Sequence, residues 1–331
     1  MSFTKADKFV EELIGGIVNG NRGSLAKAIT LVESQSAQDI TVAELLLERL
    51  SLGFDQSFRI GVSGSPGVGK STFIEALGTS LLAQGKKVAV LAVDPSSPKT
   101  QGSVLGDKTR MPKLSIDERA FVRPSPSSGV LGGVTAKTAE VIRLCEAAAY
   151  DVIFVETIGV GQNEVAVAEL VDLVVLLLDP AAGDELQGIK RGVVEFADFI
   201  AVNKADGDLK SAAKMVQQQY ASALSLSTDS QKKSPHIFCM SAYDGIGIDE
   251  LWNALLNQYE EMRSSGFLEK KRAEQSEQWF WKSTADLLMK NFRLSQKNQM
   301  QLKKILPEVR SGKVAPSRAA KIVLSSFIRC E

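Results

Sequence analysis

Histidine and cysteine are scarce in this chain: its 331 residues include one His and three Cys. With His236 alone, a histidine-based metal site is excluded, and His236 itself reads as a residue at a strand entrance rather than a catalytic one. Cys145, Cys239 and Cys330 are odd in number and far apart, so they fit neither a disulfide framework nor a zinc site, and a reducing compartment suits them best. Charge of one sign is also missing. Lys and Arg total 39 and Asp and Glu total 39, which leaves no global basic field to attract nucleic acid or an anionic membrane. Long apolar runs are absent as well. The longest, residues 171–178 with Asp172 inside it, is less than half of the roughly 20 residues a spanning helix needs. Residues 1–7 lack the apolar stretch and cleavage site of a secretory signal, so the expected location is cytoplasmic, or the mitochondrial matrix in a eukaryote.

What is present is a change of hydrophobic period along the chain. Residues 1–55 place apolar side chains at helical spacing, as in Phe9, Leu13, Ile14 and Ile17, then Leu25, Ala28, Ile29 and Val32. From Phe58 the pattern becomes short apolar runs, each followed by a helical stretch: residues 59–63, 87–93, 120–122, 152–155, 171–178, 199–202 and 237–240. That succession predicts an α/β fold, a mostly parallel sheet with helices on both faces. After Ile248 the β-type runs stop and charge-rich helical sequence takes over. The expected organisation is an N-terminal helical extension over residues 1–55, a nucleotide-binding domain over 56–264 and a C-terminal helical arm over 265–331. In that arm Trp279, Phe280 and Trp281 read as packing or interface residues. Residues 124–133 and 227–234 have loop composition.

The run Arg59-Ile60-Gly61-Val62-Ser63 leads into Gly64-Ser65-Pro66-Gly67-Val68-Gly69-Lys70-Ser71, and a helical stretch starts at Thr72. Strand, loop and helix are the context that the phosphate-loop pattern GxxxxGK[ST] requires. Glycines let a row of backbone N–H groups and a helix N-terminus approach phosphate closely. Lys70 is expected to reach the β- and γ-phosphates, and the Ser71 hydroxyl to coordinate Mg²⁺.

A second pattern selects the base. Asn203-Lys204-Ala205-Asp206 follows the apolar run 199–202, at the strand end where doubly wound sheets bind nucleotides. The Asp206 carboxylate can accept from guanine N1–H and its exocyclic amine, whereas adenine would leave that carboxylate unpaired. Ser241, Ala242 and Tyr243 follow the next apolar run, and a backbone N–H of Ser241-Ala242 is expected to face the guanine oxygen. Together the two patterns predict GTP and GDP as ligands.

Asp94 ends the run 87–93 and Glu156 ends the run 152–155, so both belong to the carboxyl edge of the sheet, where an acidic residue can hold Mg²⁺ directly or through water. Asp107, in Gly106-Asp107-Lys108-Thr109-Arg110, is a third candidate on a polar loop. The alternative for each is a helix cap or a solvated loop carboxylate. The glycine-bearing segment Thr157-Ile158-Gly159-Val160-Gly161-Gln162 suits a loop that senses the γ-phosphate, and residues 179–190 form a second such segment.

These segments carry a resemblance. Val93-Asp94-Pro95-Ser96-Ser97, Leu105-Gly106-Asp107-Lys108-Thr109-Arg110-Met111, Arg123-Pro124-Ser125-Pro126-Ser127-Ser128-Gly129, Val155-Glu156-Thr157-Ile158-Gly159-Val160-Gly161-Gln162 and Gly183-Asp184-Glu185-Leu186-Gln187-Gly188-Ile189-Lys190 resemble the MeaB/ArgK-type GTPases, in the SIMIBI class of P-loop proteins. The likeness covers most of the chain, with Ile158 standing where that family more often has valine. It implies a Mg²⁺-dependent GTPase in which Lys70, Asp94 and Glu156 serve catalysis, and Ser71, Asp94, Asp107 and Glu156 lie at the metal and switch region. It also implies that residues 179–190 form a further switch loop, with Lys190 coupling to a partner. That partner would be a cobalamin-dependent acyl-CoA mutase, such as methylmalonyl-CoA mutase, whose cofactor loading the GTPase gates and whose activity it protects. The family is homodimeric through C-terminal helices. Two other functions remain open on the residues alone: a kinase serving amino-acid transport, and a metal-insertion GTPase, which would call for a Cys/His cluster.

Overall fold

The computed structural model describes residues 5–34, 36–50, 57–94, 110–126, 131–157, 163–181, 194–225 and 234–328. These form two compact units, one running through Gln275 and one from Ser276 onward.

The first unit opens with helices α1 (Lys5–Val18), α2 (Arg22–Glu33) and α3 (Ala37–Arg49). Asn21 starts α2 because its side-chain oxygen accepts the Ser24 N–H at 2.9 Å, satisfying one of the orphan donors of the first turn. Val10, Leu13 and Ile17 of α1 are buried, at the i, i+3, i+7 spacing of one helical face. Phe9, expected on that face, is 42% exposed, so the face is turned by one residue from the sequence reading. Helix α2 is tied to the sheet by Arg123–Glu33 (2.5 Å), and to the helix of residues 131–147 by Lys137 Nζ, which donates to the Glu33 carbonyl at 2.6 Å.

The remaining elements of this unit are β1 (Phe58–Gly64), α4 (Lys70–Ala83), β2 (Val88–Asp94), α5 (Pro112–Ile116), β3 (Ala120–Pro126), α6 (Leu131–Ala147), β4 (Val152–Thr157), α7 (Asn163–Ala168), β5 (Leu173–Leu178), β6 (Phe199–Val202), α8 (Lys210–Ser225), β7 (His236–Cys239), α9 (Ile248–Ser264) and the start of α10 (Phe267–Leu294). The sheet has seven strands in the order β3-β2-β4-β1-β5-β6-β7, and every pair is parallel. Each of the seven apolar runs thus becomes a strand. Both faces are covered, as near-continuous apolar strands require. Phe73, Leu77 and Leu81 of α4 and Leu251 and Leu255 of α9 pack on Phe58, Ile60 and Val62. On the other face Ala213 and Tyr220 of α8 pack on Leu176, Leu178, Ile200 and Val202.

The structure departs from the loop expected at residues 124–133, because β3 extends to Pro126 and α6 begins at Leu131. Proline survives there because β3 is an edge strand. The Val88 N–H donates to the Arg119 carbonyl, so odd-numbered residues of β3 turn their backbone groups toward β2 and the even-numbered Pro124 and Pro126 face the open side.

At the amino ends of β1 and β5 lies a buried ion pair. Arg272, near the start of α10, donates through Nε to Asp172 Oδ1 at 2.8 Å and through Nη2 to Asp172 Oδ2 at 2.6 Å. The Arg59 N–H also donates to Asp172, at 2.8 Å, and Arg272 Nη2 donates to the Ser57 carbonyl at 2.7 Å. Burial works against the Arg272 charge, but the Asp172 carboxylate more than offsets it and the guanidinium pKa is raised. Such a pair is strongly destabilising when broken, since one charge is left buried alone.

The second unit contains the rest of α10, then α11 (Gln296–Arg310) and α12 (Pro316–Ile328). Phe280 and Trp281 meet edge to face, with ring centroids 5.2 Å apart, and are 60% and 62% exposed. Among the described residues no helix is long and apolar enough to cross a membrane.

Candidate nucleotide site

The sheet's carboxyl edge brings together the segments 64–71, 156–157 and 203–206. β1 ends at Gly64, and the chain turns through Ser65, Pro66, Gly67 and Val68 before α4 begins at Lys70. Val68 is buried and anchors the turn in the core, while Pro66, Gly67 and Thr72 are exposed. Two glycines are indispensable to the shape. Gly64 has φ +146° and a Cβ there would lie 2.5 Å from the Leu177 carbonyl oxygen of β5; Gly69 caps α4 with φ +99°, and its Cβ would lie 2.5 Å from Asn203 Nδ2. Lys70 is 7% exposed, and its ammonium donates to the carbonyls of Gly64 (2.7 Å) and Ser65 (3.0 Å). The cation is thereby held over the mouth of the loop, beside the N-terminus of a 14-residue helix, an arrangement suited to an anion.

Glu156 lies on β4 between β1 and β2, opposite Val62 and Ala92 in register. It is 5% exposed, and its carboxylate accepts from the Ser71 hydroxyl at 3.0 Å. Beneath it Thr157 donates to the Ser63 hydroxyl at 3.2 Å, fixing the floor of the loop. Asp94 ends β2 one position beyond the Val93–Thr157 register pair, which places it on the same edge as Glu156. Asp107, residues 158–162 and the segment 182–190 with Lys190 lie outside the described residues.

The candidate base side of the site is built around Asn203, which is 2% exposed. Its Nδ2 donates to the Val68 carbonyl of the phosphate loop at 2.7 Å, and its Oδ1 accepts the Ala242 N–H at 2.9 Å. One amide therefore joins phosphate loop, β6 and the 241–244 turn. Asp206 accepts a hydrogen bond from the Ser241 hydroxyl, which in turn accepts the Asp244 N–H at 3.1 Å, so the carboxylate is oriented before a base is met. The two N–H groups expected to face a guanine oxygen have acceptors in the protein: Ser241 donates to the Ile246 carbonyl at 2.9 Å and Ala242 to Asn203. Tyr243, whose side chain is 89% exposed, occupies the tip of the same turn.

Sequence reasoning missed the partner of Lys204. This residue has φ +58°, rare for a side chain with a Cβ, and its ammonium pairs with Asp179 Oδ2 at 2.5 Å. The only sequence signal was an Asp one residue past β5. Leu178 stands opposite Val202 in register, so Asp179 and the 203–206 segment emerge side by side. His236 is the first residue of β7 and stacks on Phe199, with ring centroids 5.7 Å apart, away from these groups. Cys145 is buried and Cys239 half-buried, and burial pushes both thiols up. Cys330 lies outside the described residues.

Comparison with known proteins agrees with this geometry. The family model described as methylmalonyl Co-A mutase-associated GTPase MeaB matches residues 25–297. Among curated relatives, the mouse protein named methylmalonic aciduria type A homolog, mitochondrial, is 46% identical over 334 residues, spanning 98% of this chain and 80% of its own. GTPase ArgK of Escherichia coli is 42% identical over 321 residues, 97% of each chain. A solved structure described as an LAO/AO transport system kinase superposes with a TM-score of 0.76 at 34% identity, covering 99% of this chain and 100% of that one. A phosphate-loop sequence between strand and helix, a seven-stranded parallel sheet and a family match over most of its length have one meaning: the chain is a GTPase and belongs to the methylmalonyl Co-A mutase-associated MeaB family.

Proposed function

We propose that the protein is a Mg²⁺-dependent GTPase that serves a cobalamin-dependent acyl-CoA mutase, with methylmalonyl-CoA mutase as the first candidate, gating cofactor loading and protecting or reactivating the enzyme. The observation that carries the reading is the match of residues 25–297 to a family whose description names that mutase.

The chemistry asked of the chain is modest. Phosphoryl transfer to water needs positioning and charge stabilisation more than covalent help. In this reading the loop from Gly64 to Thr72 cradles the phosphates, Lys70 turns from its carbonyl partners to the β- and γ-phosphates, and Asn203, Lys204 and Asp206 hold guanine with the turn at Ser241, Ala242 and Tyr243. The residues present fit a Mg²⁺ ion. Ser71 Oγ and a Glu156 oxygen are 3.0 Å apart, and neighbouring oxygens in an octahedron with bonds near 2.1 Å are separated by about that distance. Ser71 would hold the ion, Glu156 and Asp94 would hold it or its waters, and Asp107 would complete the set; the ion would neutralise charge on the phosphates. The C-terminal helical arm, residues 265–331, would serve as the dimerisation arm of a homodimer.

The deciding experiment adds purified cobalamin-dependent acyl-CoA mutases to the GTPase and follows phosphate release. A substantial rate increase with one of them is the expected result, and an unchanged rate across methylmalonyl- and isobutyryl-type mutases would overturn the proposal. A transport-kinase reading draws on the name of a solved relative, an LAO/AO transport system kinase. Labelled GTP separates the two, because a kinase would place the label on an acceptor and not in free phosphate.

A further inference from the structure

Asp179, the first residue of the segment 179–190, holds one member of the expected guanine site, Lys204. Its carboxylate uses both oxygens: Oδ2 pairs with the Lys204 ammonium at 2.5 Å, and Oδ1 accepts the Ala181 N–H at 3.0 Å. The Asp179 side chain is 16% exposed and that of Lys204 37%, so the pair is partly shielded from water.

Lys204 needs such a partner. Its flanks are fixed, because Asn203 is bound at both ends of its amide and the Ala205 N–H donates to the Met240 carbonyl at 2.9 Å. Between them Lys204 is held in the left-handed region at φ +58°, which turns its side chain away from the course of β6. The backbone thus aims the side chain, but a four-carbon stem has many rotamers, and ordering it opposes binding. An anchored ammonium leaves the stem already ordered when a base arrives, so that part of the ordering loss falls in folding and not in binding.

We propose that Asp179 is a positioning residue of the guanine site, one that acts through Lys204 and sets the residence time of the nucleotide. The inference rests on the guanine-site reading given above. It carries a specific signature. The pair lies at the base side of the site, so its loss should act equally on GDP and GTP, whereas a residue that senses the γ-phosphate would separate them.

The test is a mutant cycle of Asp179→Asn, Lys204→Met and the double variant, with Asp179→Glu as the conservative control. Dissociation of fluorescent GDP and of a non-hydrolysable GTP analogue is followed by stopped flow, and thermal midpoints are taken without nucleotide. Asp179→Asn is expected to release both nucleotides about 3- to 10-fold faster. Asp179→Glu should recover part of the loss, and the double variant should be no faster than Lys204→Met alone. The inference is overturned by unchanged dissociation, by an effect on the GTP analogue alone, by additive effects in the cycle, or by failure of both Asp179 variants to fold, which would mark the pair as structural. If the unaltered protein bound no guanine nucleotide, the site assignment itself would fall, a result the cycle distinguishes because it precedes it.

Discussion

The methyl group that Gly69 lacks would lie 2.5 Å from the side-chain nitrogen of Asn203. The phosphate-loop segment and the candidate base clamp at 203–206 therefore touch directly, and the Val68 carbonyl accepts the Asn203 amide at 2.7 Å as part of the same contact. Gly69→Ala would meet the strain of φ +99° and displace Asn203 together. Strain of about 1–2 kcal/mol alone corresponds to about a tenfold loss. Calorimetry should show GDP and GTP both weakened by at least that factor, and wild-type affinity would mean that the loop and clamp are independent.

Glu156→Gln keeps the shape of the side chain and an acceptor for the Ser71 hydroxyl but removes the charge. Mg²⁺ dependence of GTP hydrolysis should shift to about 10- to 100-fold higher metal concentration, while GDP binding measured in EDTA stays as in the wild type. Equal loss in both assays would indicate a folding defect and argue against a metal role.

Arg272→Met would strand the Asp172 carboxylate, which is wholly buried. Urea unfolding should lose about 3–5 kcal/mol. Adding Asp172→Asn should restore part of the difference, because the uncompensated charge is the cause; an additive double variant would contradict this account.

Glu140 on α6 gives a pH dependence. Burial pushes its carboxyl up to about 7, against the pull of Lys137 and Arg143 and with help from Glu44. The folded state then keeps a proton that the unfolded chain has already released, so stability falls as pH rises from the ordinary carboxylate range to about 7. Relative to Glu140→Gln, the wild type should lose about 2–3 kcal/mol between pH 5 and pH 8. Parallel stability curves for the two proteins would refute it.

The strands and the phosphate loop are legible in the sequence because each rests on local chemistry. An apolar run buried on both faces needs no partner to be recognised, and GxxxxGK[ST] states its own backbone demands. Asn203 and Asp206 stand out as candidate ligand residues for the same reason. Their couplings are not. Nothing in the residues near Asn203 announces Val68, 135 positions away, or Ala242 beyond it; those contacts arise only when β1 and β6 are laid in one sheet. Likewise Arg272 reads as one charge in a helical run, Glu269-Lys270-Lys271-Arg272, until α10 delivers it to Asp172. The β3 prolines mislead for a related cause, since their tolerance depends on that strand's place at the sheet margin.

That margin has a bearing on how the molecule keeps to itself. Along β3 the open side offers backbone groups at residues 120, 122, 124 and 126. Ala120 has given its N–H to the Asp117 carbonyl, and Pro124 and Pro126 have none to give. Among the described residues of the strand Val122 is left as the one outward donor, and it is itself buried, too little to template a ladder with a stray chain. The composition of the strand itself thus guards this border of the seven-stranded sheet, and growth by strand addition, the route to fibres, is opposed there by the backbone alone.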